Sequence, residues 1–271
     1  SGLVFNANHT PLAATGGADE LQLDDFPKSY GLETHFTNRG LRGIELWGGD
    51  PLISAQEFEA YKFDVGYHVQ SRVVQFLEPI LDMDFSDEPQ LQEAQMILKS
   101  WDRSAKRDSR GAALALLTAY RSHWEIRAPG EEAPNALEAF RSAVDQLMTH
   151  HGRVDVPWRD VNRLIRGSIN LGVDGGPDTL RAIYGGDELD EKGQLNAQGG
   201  DSYIQIVEWD ERGQLRSRTI HNYGSATLDA SSRHYGDQVE LFVEKGWKEV
   251  PLALEDVLEV ATRDYRPGRA Q

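Results

Sequence analysis

Cysteine is absent from this chain of 271 residues. Its absence excludes thiol catalysis, disulfide bonds and thiolate metal sites, and it suits either the cytosol or an export route. The histidines lack the His-Glu-x-x-His spacing of a zinc enzyme, and the glycine pairs lack the lysine and the spacing of a phosphate-binding loop. Thiol, zinc and nucleotide chemistry are therefore not indicated.

Basic residues and long apolar runs are also scarce. Acidic residues outnumber basic ones by 44 to 28, so the formal net charge is −16. Phosphates would be repelled by this charge, and we expect no nucleic-acid partner. The apolar runs are short or interrupted by charge, so we expect no membrane span. The first residue is Ser1 rather than methionine, which leads us to expect a processed product or a fragment of a longer chain.

The hydrophobic content of 39% is ordinary for a globular protein, and the chain is long enough to bury a core. Its pattern divides it into three regions. Residues 1–32 open with a β-prone stretch that leads into turns, and residues 33–166 show helical periodicity. Residues 167–271 are rich in glycine and then alternate as strands before two closing helices. Strands at both ends and helices between them predict the α+β class.

Several elements have local signals. Ser54 and Glu57 have the spacing of a capping box, and Ala112–Tyr120 is apolar nearly all round, which predicts a buried helix. Residues 203–209 and 214–221 alternate in polarity on either side of Asp210-Glu211-Arg212-Gly213, which predicts a hairpin. We also expect residues 2–8 to pair with residues 202–221 in one antiparallel sheet.

An asparagine motif stands near the start, as Phe5-Asn6-Ala7-Asn8-His9-Thr10-Pro11. Asparagine favours turn backbones, so a turn-capping role for Asn6 and Asn8 stays open. The motif resembles the asparagine segment of the penicillin acylase family and of related lactone and lipopeptide acylases. Further segments resemble the family in the same order: Glu33–Arg39, Trp158 with Val161–Leu164, Asp174–Ala182, Gly200–Tyr203, Gly224–Ala226 and Ser232–Gln238.

The resemblance carries expectations about fold and chemistry. It implies a four-layer αββα sandwich of the N-terminal-nucleophile hydrolases, with residues 33–166 as a large helical insertion. It implies a zymogen that matures by autocatalytic cleavage, in the periplasm or outside the cell, and that hydrolyses an amide. The counterpart of the family's oxyanion-binding asparagine is Asn8, and the counterpart of its arginine beside the active site is Arg39. A neutral amide donor such as Asn8 stabilises an oxyanion without adding a competing charge.

The position of the nucleophile departs from the family pattern. These enzymes use a chain-terminal serine whose own α-amino group is the base, and Ser1 invites that assignment. In the family, however, the asparagine motif lies far downstream of the nucleophile, whereas only six residues separate Ser1 from Asn8. We therefore interpret the chain as the C-terminal part of a β-subunit. The partners we expect are an α-subunit and a nucleophile-bearing β segment from the same precursor.

The resemblance also bears on metals. The family carries a structural calcium ion with an aspartate ligand shortly after the asparagine motif, and Asp19 stands at a comparable position. A solvated loop carboxylate is the alternative for Asp19. No cofactor is expected for the chemistry itself.

These observations support hypotheses of different classes. The first is an acylase subunit that removes the acyl group from a β-lactam, an acyl-homoserine lactone or an acylated peptide. The second is a catalytically inactive binding or structural module when the chain is alone. A third, within the enzyme class, is a short-form hydrolase that uses Ser1 as its nucleophile.

Overall fold

The computed structural model describes residues 2–15, 17–120 and 135–262. The chain forms two compact units, and the boundary between them falls between Asp201 and Ser202. Each unit combines helices with small sheets, which confirms the α+β class.

The described helices of the first unit precede its strands. They are α1 Asn38–Gly43, α2 Ala55–Lys62, α3 Arg72–Leu81, α4 Pro89–Ser100, α5 Ala112–Ala119, α6 Ala136–His151 and α7 Trp158–Val161. A π-helical turn, Ile44–Gly48, continues α1, and three 3₁₀ turns precede it at Pro11–Ala13, Leu23–Asp25 and Lys28–Tyr30.

The ends of these helices follow from local chemistry. The capping box that opens α2 is present, because the Ser54 side chain accepts from the Glu57 N–H while Glu57 accepts from the Ser54 N–H. Asn135 caps the first turn of α6 through its side chain, and Gly152 ends that helix in the left-handed conformation with φ +67°. The sequence alone contains the signals for both helices.

The core of the first unit surrounds α5, whose residues are all buried. Helix α5 packs against α3, α4, α6 and α7. Ile80, Leu114, Phe140 and Leu147 are fully buried in this cluster, and the rings of Phe85 and Phe140 lie 5.7 Å apart. The apolar stretch predicted as a buried helix is thus the centre of the helical packing.

The strands of the first unit form two small sheets. They are β1 Asn162–Arg166, β2 Ile169–Gly172, β3 Ile183–Tyr184, β4 Leu195–Asn196 and β5 Gly199–Gly200. Strand β1 pairs antiparallel with β2 and parallel with β4, and β3 pairs antiparallel with β5. Helical structure was expected as far as residue 166, but the chain turns to strand at Asn162. Gly167, with φ +61°, permits the tight turn that allows the β1–β2 hairpin.

The second unit contains β6 Tyr203–Trp209, β7 Leu215–His221, α8 Val239–Val243, β8 Lys248–Glu249 and α9 Leu254–Val260. Strands β6 and β7 form the predicted hairpin, and β8 adds antiparallel to β7. In the turn, the Asp210 carboxylate accepts from the N–H groups of Arg212 and Gln214. Ile204 and Ile206 point to the buried face of this sheet.

The strand expected at the start of the chain is not formed. Residues 2–8 belong to no strand, and the sheet that contains β6 and β7 has β8 as its third strand. The Phe5 N–H donates instead to the Ala14 carbonyl at 2.9 Å. The segment folds back on the loop that follows it, and its Phe5 ring packs against Gly43 of α1. Over the ranges that the structure describes, no helix is long and apolar enough to cross a membrane.

Candidate active site

The two asparagines of the motif have different environments. The Asn6 carboxamide oxygen accepts from the Asn8 N–H at 2.8 Å, which is an Asx turn. Asn8 has a left-handed backbone with φ +54°, and its side chain is exposed. Among the described residues, the Asn8 carboxamide has no hydrogen-bond partner. Asn6 therefore forms the turn, and Asn8 presents an unused amide donor at its apex.

Two aromatic side chains fix this turn to α1. Phe5 and His9 stack with ring centroids 4.7 Å apart, and both lie against glycines on one face of the helix. A Cβ atom at Gly40 would lie 2.8 Å from the His9 side chain, and one at Gly43 would lie 2.5 Å from the Phe5 ring. Any larger residue at these two positions would clash with the rings, so Gly40 and Gly43 allow the asparagine motif to pack against α1.

Polar contacts complete the attachment. His9 is buried, and its Nδ1 accepts from the Ala7 N–H at 3.1 Å while its Nε2 lies 3.2 Å from the Ala13 carbonyl oxygen. This pattern assigns the proton to Nε2. Thr37 caps α1 by accepting from the Gly40 N–H, and its hydroxyl donates to the Ala7 carbonyl at 3.2 Å. The residue before Asn8 is thereby bonded to the residue that starts the helix of Arg39.

Arg39 lies on the first turn of α1 and forms an ion pair with Asp178. Its Nε donates to Asp178 Oδ1 at 3.1 Å, and the side chains are 29% and 20% exposed. Within the described part of the chain this is the only hydrogen bond of the guanidinium, so Nη1 and Nη2 remain available to a ligand. The other carboxylate oxygen of Asp178 accepts from the Asn38 N–H at 2.6 Å.

Asn38 is buried and uses its whole side chain. Its amide donates to the carbonyls of Gly66 and Asp178 at 3.0 and 2.8 Å, and its oxygen accepts from the His68 N–H at 2.8 Å. Asn38 therefore ties α1 to two distant loops.

The glycine-rich turn that carries Asp178 is held by buried polar side chains. Trp158 Nε1 donates to the Gly175 carbonyl at 2.8 Å, and the Asn162 amide donates to the carbonyls of Val173 and Ile183. The Tyr67 hydroxyl donates to the Pro177 carbonyl at 2.7 Å. Burial raises the pKa of Tyr67 well above its usual value. The turn is fixed tightly enough to keep Asp178 in a left-handed backbone with φ +59°.

A buried ion pair between Arg181 and Asp174 also holds the glycine-rich turn. Arg181 is fully buried, and its Nε lies 2.8 Å from Asp174 Oδ1, while its guanidinium carbon lies 5.1 Å from the centre of the Phe63 ring. Burial lowers the pKa of Arg181, and the charges of Asp174 and Asp201 oppose that shift. Asp201 itself pairs with Lys62 at 2.8 Å.

These elements enclose a cleft of about 310 Å³. Its lining residues are Thr37, Arg39, Asp178, Ala182, Tyr184, Gly200 and Asp201. Burial raises the pKa of the Tyr184 phenol, although the charge of Arg39 acts in the opposite direction. The cleft therefore offers hydroxyl and guanidinium donors beside two carboxylates that are already paired. Asn8 is not among its lining residues, and the Thr37–Ala7 hydrogen bond is the connection between them.

Asp178, Tyr184 and Asp201 had no individual role in the sequence analysis, although Asp178 and Asp201 lie in segments that resemble the family. An aspartate directly after Gly-Gly-Pro is a signal for a left-handed turn residue. That local signal does not predict the ion pair that Asp178 forms with Arg39, which is 139 positions away in sequence.

The other predicted site residues are not brought to this cleft. Asp19 is exposed in its loop, and within the ranges described no group of three or more His, Asp or Glu side chains could hold a metal ion. These residues alone do not fit a calcium site. Ser1 lies outside the described residues.

The segment Ser232–Gln238 lies in the second unit and closes the end of β7. Gln238 accepts from the His221 N–H at 3.1 Å, and its own N–H donates to the Tyr223 carbonyl at 2.8 Å. His234 Nδ1 pairs with Asp237 at 2.7 Å. These contacts explain the residue types as structural requirements of the loop.

Comparison with known proteins decides the family. A family model described as penicillin amidase matches residues 1–259. The chain belongs to the penicillin amidase family. Acyl-homoserine lactone acylases named PvdQ from two Pseudomonas fluorescens strains, Pf0-1 and Pf-5, are 28% and 27% identical over 132 and 180 residues. The matches cover 46% and 57% of this chain but only 17% and 22% of those relatives. The chain thus aligns with about a fifth of the length of these relatives.

Proposed function

We propose that this chain is the C-terminal part of the β-subunit of an N-terminal-nucleophile acylase that hydrolyses a linear amide. The observation that carries the proposal is the Asn8 carboxamide, which is exposed and has no partner among the described residues, in a turn that Asn6 already caps. Family membership supports the reaction class. In the complete enzyme the small sheets become part of a four-layer αββα sandwich, and the α2–α6 region is its helical insertion.

The nucleophilic serine lies on an upstream segment or a partner chain. Its hydroxyl oxygen attacks the amide carbonyl carbon, and its proton passes to the α-amino group of the same residue. The Asn8 amide donates to the oxyanion of the tetrahedral intermediate. Collapse breaks the C–N bond as the α-ammonium returns the proton to the leaving amine. Water then hydrolyses the acyl ester and restores the serine.

Arg39 organises the site from the first turn of α1. Because Asp178 holds its Nε, the guanidinium is fixed in direction while its two Nη groups stay available to the substrate or to the nucleophile-bearing segment. Thr37 connects this helix to the Asn8 turn, so both residues are set by one helix terminus.

The substrate we propose is an N-acyl homoserine lactone. The support for this substrate is the activity stated in the names of the relatives that the chain matches, acyl-homoserine lactone acylase.

The maturation and location of the enzyme follow the same proposal. The precursor cleaves itself, in the periplasm or after secretion, and neither a nucleic acid nor a membrane is a partner. A structural calcium ion at Asp19 would require ligands from other parts of the acylase, since the described residues do not form the site alone.

The experiment compares this chain alone with the chain co-expressed with the upstream segments of its precursor. We expect hydrolysis of an acyl-homoserine lactone only in the second case. Hydrolysis by the chain alone that Ser1→Ala abolishes would instead establish Ser1 as the nucleophile. Absence of hydrolysis in a correctly assembled and processed complex would favour the inactive binding module.

A further inference from the structure

We infer that Asp178 is a positioning residue, which sets the direction of Arg39 and the place of the α1 terminus for catalysis. This inference rests on the proposed function. It assigns a role to a residue on the glycine-rich turn that is far from Asn8 and Arg39 in sequence.

The Asp178 carboxylate bonds to two residues of α1. One oxygen of Asp178 accepts from Arg39 Nε at 3.1 Å, and the other accepts from the Asn38 N–H at 2.6 Å. Two neighbouring residues of α1 are thus bonded by a single side chain. Hydrogen bonds to a charged acceptor are stronger than neutral ones, so this contact resists rotation of the guanidinium.

The backbone of Asp178 also fixes the direction of its side chain. Its φ of +59° is a conformation that side-chain-bearing residues rarely adopt. It persists because Thr179, Tyr67 and Asn38 bind the carbonyls around it: Thr179 Oγ1 donates to the Arg181 carbonyl at 2.7 Å, and Asn38 donates to the Asp178 carbonyl at 2.8 Å. A left-handed residue held by several contacts beside a cleft indicates a requirement for that side-chain direction.

A chain of contacts leads from Asp178 to the proposed oxyanion donor. Asn38 follows Thr37, whose hydroxyl donates to the carbonyl of Ala7, the residue before Asn8. A shift of the α1 terminus would therefore move the Asn8 turn together with Arg39. Small displacements of this kind reduce turnover because the donor must meet the oxyanion at hydrogen-bond distance.

The test is a double-mutant cycle in the complete, processed acylase. Asp178→Asn keeps the shape of the side chain and a residue type that tolerates the left-handed backbone, but it removes the charge. We expect kcat to fall about 10- to 100-fold, the loss that corresponds to a charge-assisted hydrogen bond. In the Arg39→Ala background the same change should reduce kcat less than in the wild type, because the guanidinium it directs is gone and only its contact with the α1 terminus remains to be lost.

Asp64→Asn is the matched control. Asp64 also anchors α1, through Arg42 Nε and Nη2 at 2.9 Å each, but it does not contact Arg39. Its effect on kcat should be the same with and without Arg39. An equal loss from Asp178→Asn in both backgrounds, or an unchanged kcat per folded molecule, would overturn the inference.

Hydrogen exchange of the Asn38 N–H tests its hydrogen bond to Asp178 without an activity assay. In the 1–271 chain we expect exchange to become faster in Asp178→Gly, which removes both acceptor oxygens and fits the left-handed backbone, but not in Asp64→Asn. Unchanged exchange in Asp178→Gly would refute the positioning contact. A wild-type complex with no acylase activity would count against the proposed function, whereas an active complex indifferent to Asp178→Asn would count against this inference alone.

Discussion

Replacing Gly40 with alanine tests how the Asn8 turn is seated on α1. The added Cβ would lie 2.8 Å from both Cβ and Cγ of His9, well inside van der Waals contact. His9 cannot yield without loss, since its ring stacks on Phe5 and its two nitrogens contact Ala7 and Ala13. The substitution therefore forces the turn away from the helix.

The magnitude follows from opposing terms. Alanine is favoured over glycine inside a helix by about 1 kcal/mol. Overpacking costs about 1–3 kcal/mol, and weakening the two His9 hydrogen bonds adds about 1 kcal/mol each. We expect the free energy of unfolding to fall by about 2–4 kcal/mol, and Tm to fall by about 2–4 °C for each kcal/mol.

The assay is urea denaturation of the 1–271 chain, with Gly48→Ala as the control. A Cβ at Gly48 would lie 3.8 Å from Ile44 Cγ2, an ordinary contact, so this substitution should be neutral or stabilising. If Gly40→Ala is as stable as Gly48→Ala, the proposed seating of the asparagine turn on α1 is refuted.

Three further predictions concern other parts of the chain. Arg181→Leu leaves Asp174 buried without its cation, so the free energy of unfolding should fall by about 3–5 kcal/mol in urea denaturation. The control Arg216→Leu removes an exposed ion pair and should change the free energy of unfolding by less than about 1 kcal/mol. Gly213→Ala places a side chain at φ +75° and should destabilise the β6–β7 turn by about 1 kcal/mol, seen as faster amide exchange in the hairpin; unchanged exchange would contradict the assigned turn. Hydrogen bonds from His35 lower the pKa of Glu33 from 4.5 to about 2, so its stabilising contribution is present above pH 4.5 and is lost as the pH falls towards 2. An NMR titration of the Glu33 carboxyl should have its midpoint near 2, and His35→Ala should raise it.

The elements that were predictable from the sequence are those whose cause is local. The capping box at Ser54, the buried helix over Ala112–Ala119 and the hairpin around Asp210–Gly213 each depend on residues within a few positions of one another. The helical start expected near Glu33 was too early. Glu33 accepts from the N–H groups of Thr34 and His35, which favours a turn there, and α1 begins only after its cap Thr37.

The site was predictable only in part, for the same reason. Asn8 and Arg39 were identified by their resemblance to the family, and the structure connects them through Thr37. The ion pair between Arg39 and Asp178 depends on the folding of the glycine-rich turn against α1, which no local pattern encodes. The absence of a strand at residues 2–8 also has a non-local cause. Phe5 and His9 pack against Gly40 and Gly43 of α1, and the alternation of residues in the segment does not reveal this contact.

The proposed oxyanion role of Asn8 is tested most directly by the turnover of Asn8→Ala in the complete acylase, measured beside that of Asn6→Ala. If Asn8 donates to the oxyanion, its loss removes a transition-state interaction, and kcat should fall about 10²–10³-fold with a much smaller change in KM. Asn6→Ala should instead lower Tm, because its carboxamide holds the turn, and should leave most of the turnover per folded molecule. An Asn8→Ala enzyme with near-normal kcat would contradict the assignment of Asn8 as the oxyanion donor.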